Sequence, residues 1–413
     1  MQTTPRSLRF QIGLFGRTNV GKSTFLNTLT GQDLAITSPV AGTTTDPVEK
    51  SMELPPLGAV VCIDTGGLDD PTELGAVRQA RTAQILERVD AAILLVESNG
   101  WSATEEEFLG RIREKKIPFL LVITKADLSI PGENFLAQMR QKCEHVIISA
   151  LSGDGREKMI LACKEALPAI KPEDSLAPAL LDGVLQKGEM MVLLVPLDAG
   201  APKGRLILPQ VQVLRAALDL QACALTTTEK TYSALFQNLA IPPRLVVCDS
   251  QVVDFMVRET PPDIPCTTFS ILFARMKADL PNLVRGALML DSLQDGDKVL
   301  ISEACAHHPM PDDIGRVKIP RWLREYTKKE LQIDVVSGRS EAITDASYRL
   351  IIHCGACMMT RTEMLARSAK AAAHGIPMTN YGLAIAHMKG VLPRVISPFP
   401  EALKALKTHL ACK

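Results

Sequence analysis

The chain has 413 residues, 46% hydrophobic and 22% charged, an ordinary balance for domains that bury a core. At about 100–200 residues per domain, that length fits two to four domains. Basic and acidic residues number 46 each, and the resulting net charge of zero argues against broad nucleic-acid or membrane-surface binding.

Arg6 and Arg9 lead into an apolar stretch at 10–15 that is too short for a signal peptide or a membrane span. Residues 8 to about 170 then alternate β-branched runs with helical patterns. The runs 60–63, 91–96, 119–124 and 146–149 predict buried strands, hence a parallel sheet covered by helices on both faces. Pro168, Pro172 and Pro178 break a polar stretch, which predicts a linker over 171–188. A small α/β unit is expected over 189–262, with strands at 190–195, 206–208 and 244–247 and helices at 210–218 and 250–257. Pro261, Pro262 and Pro265 mark the next boundary. A third α/β unit, 263–413, should hold strands at 298–301, 332–336, 348–352 and 376–379 and a helix at 361–374. No internal repeat of fixed period is present.

Gly16-Arg-Thr-Asn-Val-Gly21-Lys22-Ser23 follows a predicted strand and fits the phosphate-loop pattern. Backbone N–H groups from Gly16, Asn19, Val20, Gly21 and on to Thr24 can cradle phosphates. Lys22 can neutralise their charge, and the Ser23 hydroxyl can take Mg²⁺. Thr43, Thr44 and Thr45 offer hydroxyls for Mg²⁺ and the γ-phosphate, with Thr44 the expected ligand. Asp64-Thr-Gly-Gly67 follows a strand, so Asp64 can hold a Mg²⁺-bound water and the Gly67 N–H can sense the γ-phosphate. In Thr124-Lys125-Ala-Asp127, the Asp127 carboxylate can accept from guanine donors, and Ser149-Ala150-Leu151 stands where a base-contacting loop belongs. This ordered set favours GTP over ATP.

The order and wording resemble the TrmE–Era–EngA superfamily over residues 8 to 170. In that superfamily an asparagine matching Asn19 often ligates an activating K⁺. Two departures stand out. Thr124 replaces the usual asparagine of the guanine motif and cannot reproduce both amide contacts. Leu68 stands where a signalling GTPase carries a water-orienting glutamine, so slow intrinsic hydrolysis is expected. Glu73 is read as a solvated helix-start carboxylate.

Two cysteine clusters follow: Cys305-Ala-His307 and His353-Cys354-Gly-Ala-Cys357. Thiolates at this density suit iron–sulfur clusters or zinc. Cys305 and Cys354 lie just past predicted strands, and open α/β sheets bind ligands at strand carboxyl ends. A single Cys-x-x-Cys pair disfavours a zinc knuckle. Three thiolates leave a fourth position, for which His307, His353, a carboxylate, water or an incoming cofactor are candidates; His308 is read as a surface residue or one that supports a ligand from outside. Cys62, Cys143, Cys163, Cys223, Cys248 and Cys266 are expected to be buried apolar thiols. Ten cysteines so scattered predict a reducing, cytoplasmic setting.

With Ser270-Ile-Leu-Phe-Ala-Arg275 and Thr379-Asn-Tyr-Gly382, the whole chain resembles the HydF GTPases that mature FeFe-hydrogenase. The resemblance implies an α/β protein with a P-loop GTPase domain (1–170), a small α/β dimerisation domain and an α/β domain that binds a 4Fe-4S cluster through Cys305, Cys354 and Cys357. It implies a homodimer or higher homo-oligomer, a GTP/GDP cycle, a transient diiron precursor as cargo, and apo-hydrogenase and radical-SAM maturases as partners. Neither nucleic acid nor membrane is expected as a partner. Rival readings are a tRNA-modification or ribosome-assembly GTPase, which should carry a basic appendix, and a zinc-stabilised regulatory GTPase.

Overall fold

The computed structural model describes residues 5–30, 48–54, 58–69, 75–144, 146–148, 155–169, 179–197, 206–304, 313–338 and 341–411. The chain divides into two units, Met1–Leu176 and Ala177–Lys413.

In the first unit the strands are β1 (Phe10–Gly16), β2 (Val48–Leu54), β3 (Gly58–Asp64), β4 (Ala91–Glu97), β5 (Phe119–Thr124) and β6 (Val146–Ile148). They form one sheet in the order β2-β3-β1-β4-β5-β6. All pairings are parallel except β2 with β3. The continuous apolar runs follow from burial on both faces. Ile12, Leu14, Ile93 and Val122 pack on one side with Phe25, while Phe15, Leu94, Leu121 and Ile123 pack on the other with Phe108. The antiparallel strand β2 was not predicted. It carries Glu49, Lys50 and Glu53 at a sheet edge, where charge is tolerated and the apolar signal is lost.

In the second unit β7 (Met190–Leu194), β8 (Cys223–Thr227), β9 (Leu245–Cys248) and β10 (Cys266–Thr268) make a parallel sheet in the order β10-β9-β7-β8. A second parallel sheet, in the order β12-β11-β13-β14, holds β11 (Lys298–Glu303), β12 (Gln332–Ser337), β13 (Tyr348–His353) and β14 (Met378–Asn380). One apolar cluster runs through both sheets, from Leu193 and Val246 through Phe273 and Leu283 to Ile301 and Ile351.

The second unit departs from the sequence reading at several further points, its unpredicted strand β8 among them. Strand β10 lies beyond the boundary predicted at 262. Leu180, Leu181, Val184 and Leu185, inside the predicted linker, are buried in this unit's core. Residues 206–208 are not a strand; Leu208 opens the helix Leu208–Asp219, with a proline in its first turn. Cys223 is exposed on the edge strand β8, unlike the buried Cys62, Cys143, Cys163, Cys248 and Cys266. No helix of the described residues is long and apolar enough to cross a membrane.

Candidate functional site

The phosphate loop leaves the carboxyl end of β1 and runs into the helix Lys22–Thr30. Its non-helical start is set by Asn19, at φ 61°, a conformation asparagine tolerates better than most residues. Lys22 is buried, and its ammonium donates to the carbonyls of Gly16 (3.1 Å) and Arg17 (2.7 Å). Burial lowers its pKa, against the pull of Asp64 and Asp69. Ser23 Oγ donates to Asp64 Oδ2 at 2.6 Å. Asp64 Oδ1 is buried and has no hydrogen-bond partner among the described residues. Burial raises the pKa of Asp64, opposed by the Ser23 hydrogen bond and by Lys22 and Lys50. A buried, half-satisfied carboxylate joined to a hydroxyl, with an ammonium nearby, is a donor set that fits Mg²⁺ and phosphate oxygens.

The Asp64–Gly67 segment lies over the loop. The Leu68 N–H donates to the Gly16 carbonyl at 3.2 Å, and the Thr18 N–H donates to Asp69 at 2.8 Å. A Cβ on Gly67 would come within 2.1 Å of Thr18 Oγ1, so only glycine fits. The Leu68 side chain packs against the apolar cluster that holds Phe108. Thr124 is buried, with its hydroxyl 2.8 Å from the Val20 carbonyl and 3.1 Å from that of Val96. It therefore ties the guanine motif to the phosphate loop, one contact that the sequence comparison with asparagine left open. Lys125 sits at φ 57° and pairs with Glu97. Asp127 is exposed past the end of β5. Asn19 and Thr24 are also exposed, and Val20 is buried. Thr43, Thr44, Thr45, Glu73, Ser149, Ala150 and Leu151 lie outside the described residues.

One contact of the loop was missed in the sequence. Arg17 Nε donates to Glu105 Oε1 at 2.6 Å and Arg17 also bonds Ser102. Glu105 is 1% exposed and closes the capping box with Ser102 at the start of the helix Ala103–Glu114. Ser-x-x-Glu is visible as a cap in the sequence, but its second partner is not.

In the second unit Cys354 and Cys357 follow β13 directly. The turn holds Ala356 at φ 52°, a left-handed conformation rare for alanine. The Ala304 N–H points to Cys354 Sγ at 3.1 Å, and the Cys354 N–H donates to the Ser302 carbonyl at 2.9 Å. Ala304 immediately precedes Cys305 in the sequence. Cys305, His307 and His308 lie outside the described residues, and among those described no three His, Cys, Asp or Glu side chains gather as a metal site. Burial raises the pKa of the Cys357 thiol, while Lys277 acts in the opposite direction. Two soft donors on one tight turn, next to a buried ammonium, fit the thiolate chemistry of an iron–sulfur cluster. A cavity of about 180 Å³ opens beside Cys357, walled by Phe269, Ser270, Phe273, Gly355 and Tyr381.

His353 does not meet the expectation for a fourth ligand. It is fully buried, and Arg367 Nη1 lies 3.3 Å from its Nε2. A guanidinium only donates, so Nε2 accepts and the ring proton sits on Nδ1, which donates to the Cys354 carbonyl at 2.9 Å. Both nitrogens are engaged, and burial lowers its pKa to about 4. His353 is a neutral post that holds the cysteine turn.

Comparison with known families matches residues 180–278 to the hydrogen maturase F dimerization domain and residues 281–398 to the hydrogen maturase F tetramerization domain. Together these span more than half of the chain. The chain belongs to the hydrogen maturase F family. Residues 11–125 match the 50S ribosome-binding GTPase family, so the first unit of this hydrogen maturase F member is a P-loop GTPase domain. The two C-terminal matches are to oligomerisation domains, so the chain carries the domains of a homo-oligomer.

GTPase Era of Ectopseudomonas mendocina is 31% identical over 43% of this chain and 62% of its own length. The tRNA modification GTPase MnmE of a Synechococcus species is 38% identical over 29% of this chain and 26% of its own. GTPase Der of Clostridium perfringens is 28% identical over 44% of each. The chain thus spans less than two thirds of the length of these relatives. A solved structure of Era with MgGDPNP and nucleotides 1506–1542 of 16S ribosomal RNA is similar at 20% identity with a TM-score of 0.35, over 53% of this chain and 91% of that one. That likeness is too loose to carry a functional argument.

Proposed function

We propose that this chain is a GTP-hydrolysing scaffold that binds a 4Fe-4S cluster and delivers a diiron precursor to apo FeFe-hydrogenase. The observation that carries the reading is a Cys354–Cys357 turn at the end of β13, inside a chain of the hydrogen maturase F family. Cys305, Cys354 and Cys357 would supply the thiolates. The fourth position would fall to His307, a carboxylate, water or an incoming ligand, since His353 is engaged elsewhere. The cluster would give an exchangeable iron at which a cargo ligand can bind. The cavity beside Cys357 leaves space there for a small group.

In the GTPase domain, Lys22 would bind the β- and γ-phosphates, and Ser23, Asp64 and Thr44 would hold Mg²⁺ directly or through water. The Gly67 N–H would sense the γ-phosphate, and Asp127, Lys125, Ser149 and Ala150 would surround guanine. Asn19 would help to place K⁺ against the phosphates. Hydrolysis would be slow, because Leu68 packs against the apolar cluster and presents no group that orients water. The partners would be apo-hydrogenase and radical-SAM maturases in the cytoplasm.

The test is anaerobic iron and sulfide analysis with EPR on the wild type, Cys305→Ala and Cys354→Ala, followed by activation of purified apo-hydrogenase with the other maturases. The wild type should hold about four irons, as the cluster requires, and each variant should lose the cluster and the activation. Zinc in place of iron and sulfide, or full activation by a cluster-free Cys354→Ala protein, would overturn the proposal.

A further inference from the structure

The helix Phe269–Lys277 ends in a lysine that is 1% exposed. A lysine so buried is rare without a charged partner. Lys277 Nζ donates to the carbonyls of Ala356 (2.8 Å) and Met359 (2.7 Å) and approaches that of Cys357 (3.4 Å). Its three acceptors thus all lie on the cysteine turn. It also lies 5.4 Å from the centre of the Phe273 ring. Among the described residues no carboxylate reaches ion-pair distance of it, and Glu363 favours its charged form less than the two thiols do. Neutral carbonyls satisfy its hydrogen bonds but leave its charge uncompensated in a place where an unpaired charge is costly. Three thiolates would bring the missing negative charge.

The helix that carries Lys277 is clamped at both ends, by strand β14 and the helix after it at its start and by the helix Arg361–Ala373 at its end. At its start, Asn380 Nδ2 donates to the Ser270 carbonyl (3.0 Å), and the Gly382 N–H donates to Ser270 Oγ (3.2 Å). A Cβ on Gly382 would meet Ser270 Cβ at 2.7 Å. At its end, Arg361 donates to the Met276 carbonyl at 2.6 Å. Ser270 and Lys277 fall in the residues matched by the dimerization domain, whereas Cys354, Cys357, Arg361 and Asn380 fall in those matched by the tetramerization domain.

We infer that Lys277 is the positioning residue and counter-charge of the cysteine turn, supplied by the dimerization domain to a metal cluster held by the tetramerization domain. It fixes the backbone of the turn through three carbonyls, and its positive charge favours the more negative, reduced state of whatever the thiolates hold. The inference rests on the cluster reading above. It adds that the cluster's reduction potential and retention depend on a residue outside the cysteine domain.

The test uses full-length protein reconstituted anaerobically with iron and sulfide, as wild type, Lys277→Gln and Lys277→Arg. Glutamine keeps two N–H donors for the carbonyls but removes the charge; arginine keeps the charge. Lys277→Gln should fold, shift the cluster's midpoint potential to more negative values and lose iron to a chelator faster, on the order of the 10–100-fold seen for outer-shell partners of metal sites. Lys277→Arg should return the potential toward the wild-type value. A Lys277→Gln protein that folds and matches the wild type in both potential and chelation rate would overturn the inference. So would failure of the metal-free Lys277→Gln protein to fold, which would leave Lys277 a purely structural role. A wild type that takes up no iron and sulfide would overturn the cluster reading and this inference together.

Discussion

Gly286 and Gly110 both sit inside helices, yet the same substitution should move their units in opposite directions. A Cβ on Gly286, in the helix Leu280–Leu288, would lie 2.0 Å from the Met378 carbonyl oxygen and 2.5 Å from its carbon. An ordinary C···O contact is about 3.3 Å, so the helix or β14 must retreat by about 1 Å. The obstacle is backbone, which cannot rotate away, and overpacking of this kind costs about 3 kcal/mol. Alanine returns about 1 kcal/mol of helix propensity. The net loss is about 2 kcal/mol, or about 4–8 °C in a unit of this size. In the helix Ala103–Glu114, a Cβ on Gly110 would meet nothing within 4 Å. Gly110→Ala should therefore stabilise the first unit by up to about 1 kcal/mol. The two tryptophans separate the readouts: Trp101 packs on the first unit's core and Trp322 on that of the second. Thermal unfolding followed by fluorescence in Trp101→Phe and Trp322→Phe backgrounds should show a lower midpoint for Gly286→Ala and a higher one for Gly110→Ala. On the proposed cluster reading, the Gly286 variant should also retain iron less firmly, since β14 carries the Asn380 that anchors Ser270. An unchanged or raised midpoint for Gly286→Ala would refute the packing argument.

Lys22→Ala should abolish GTP binding in equilibrium dialysis and leave iron and sulfide content at the wild-type level, because the phosphate loop and the cysteine turn belong to different units. If iron is lost as well, the two functions are not separable in this way. Asp127→Asn should shift turnover from GTP toward xanthosine triphosphate, since an amide donates where the carboxylate accepts; retained GTP turnover with no gain for the xanthine nucleotide would contradict a guanine site. GTP hydrolysis by the wild type should be faster in KCl than in matched NaCl, and Asn19→Ala should abolish the difference, if K⁺ supplies charge where the transition state needs it. Equal wild-type rates in the two salts would remove that role from Asn19.

Most of the first unit was legible because its signals are local. A phosphate is held by consecutive backbone N–H groups, so the loop is spelled by adjacent residues, and buried parallel strands announce themselves as apolar runs. The strands that escaped notice are those where burial and apolarity part. Edge strand β2 is charged, and edge strand β8 is largely exposed. Leu208 shows the reverse failure, because a short apolar run before a proline suits a strand as well as a helix start. Arg17 sits in the phosphate loop and Glu105 closes a helix cap, and neither local setting reveals the ion pair between residues 88 positions apart.

The cysteine turn was legible only as a spacing, and what supports it was not legible at all. A lysine in the last turn of a helix is ordinarily a solvated cation favoured by the helix dipole, and nothing next to Lys277 in the sequence says otherwise. Its acceptors lie 79 to 82 residues away, and the partners of Ser270 lie 110 to 112 away. Two stretches to which the family resemblance extends beyond the cysteine motifs, 270–275 and 379–382, touch each other. His353 stood beside a cysteine and so read as a ligand, but Arg367, on a following helix, claims its second nitrogen. A nucleotide site can be assembled from one loop, whereas the proposed cluster site, with its cysteines at the end of one sheet and Lys277 on a helix of the other, needs distant segments to hold its donors still. A change at either end of the helix Phe269–Lys277 should therefore register at Cys354 and Cys357 without touching a sulfur.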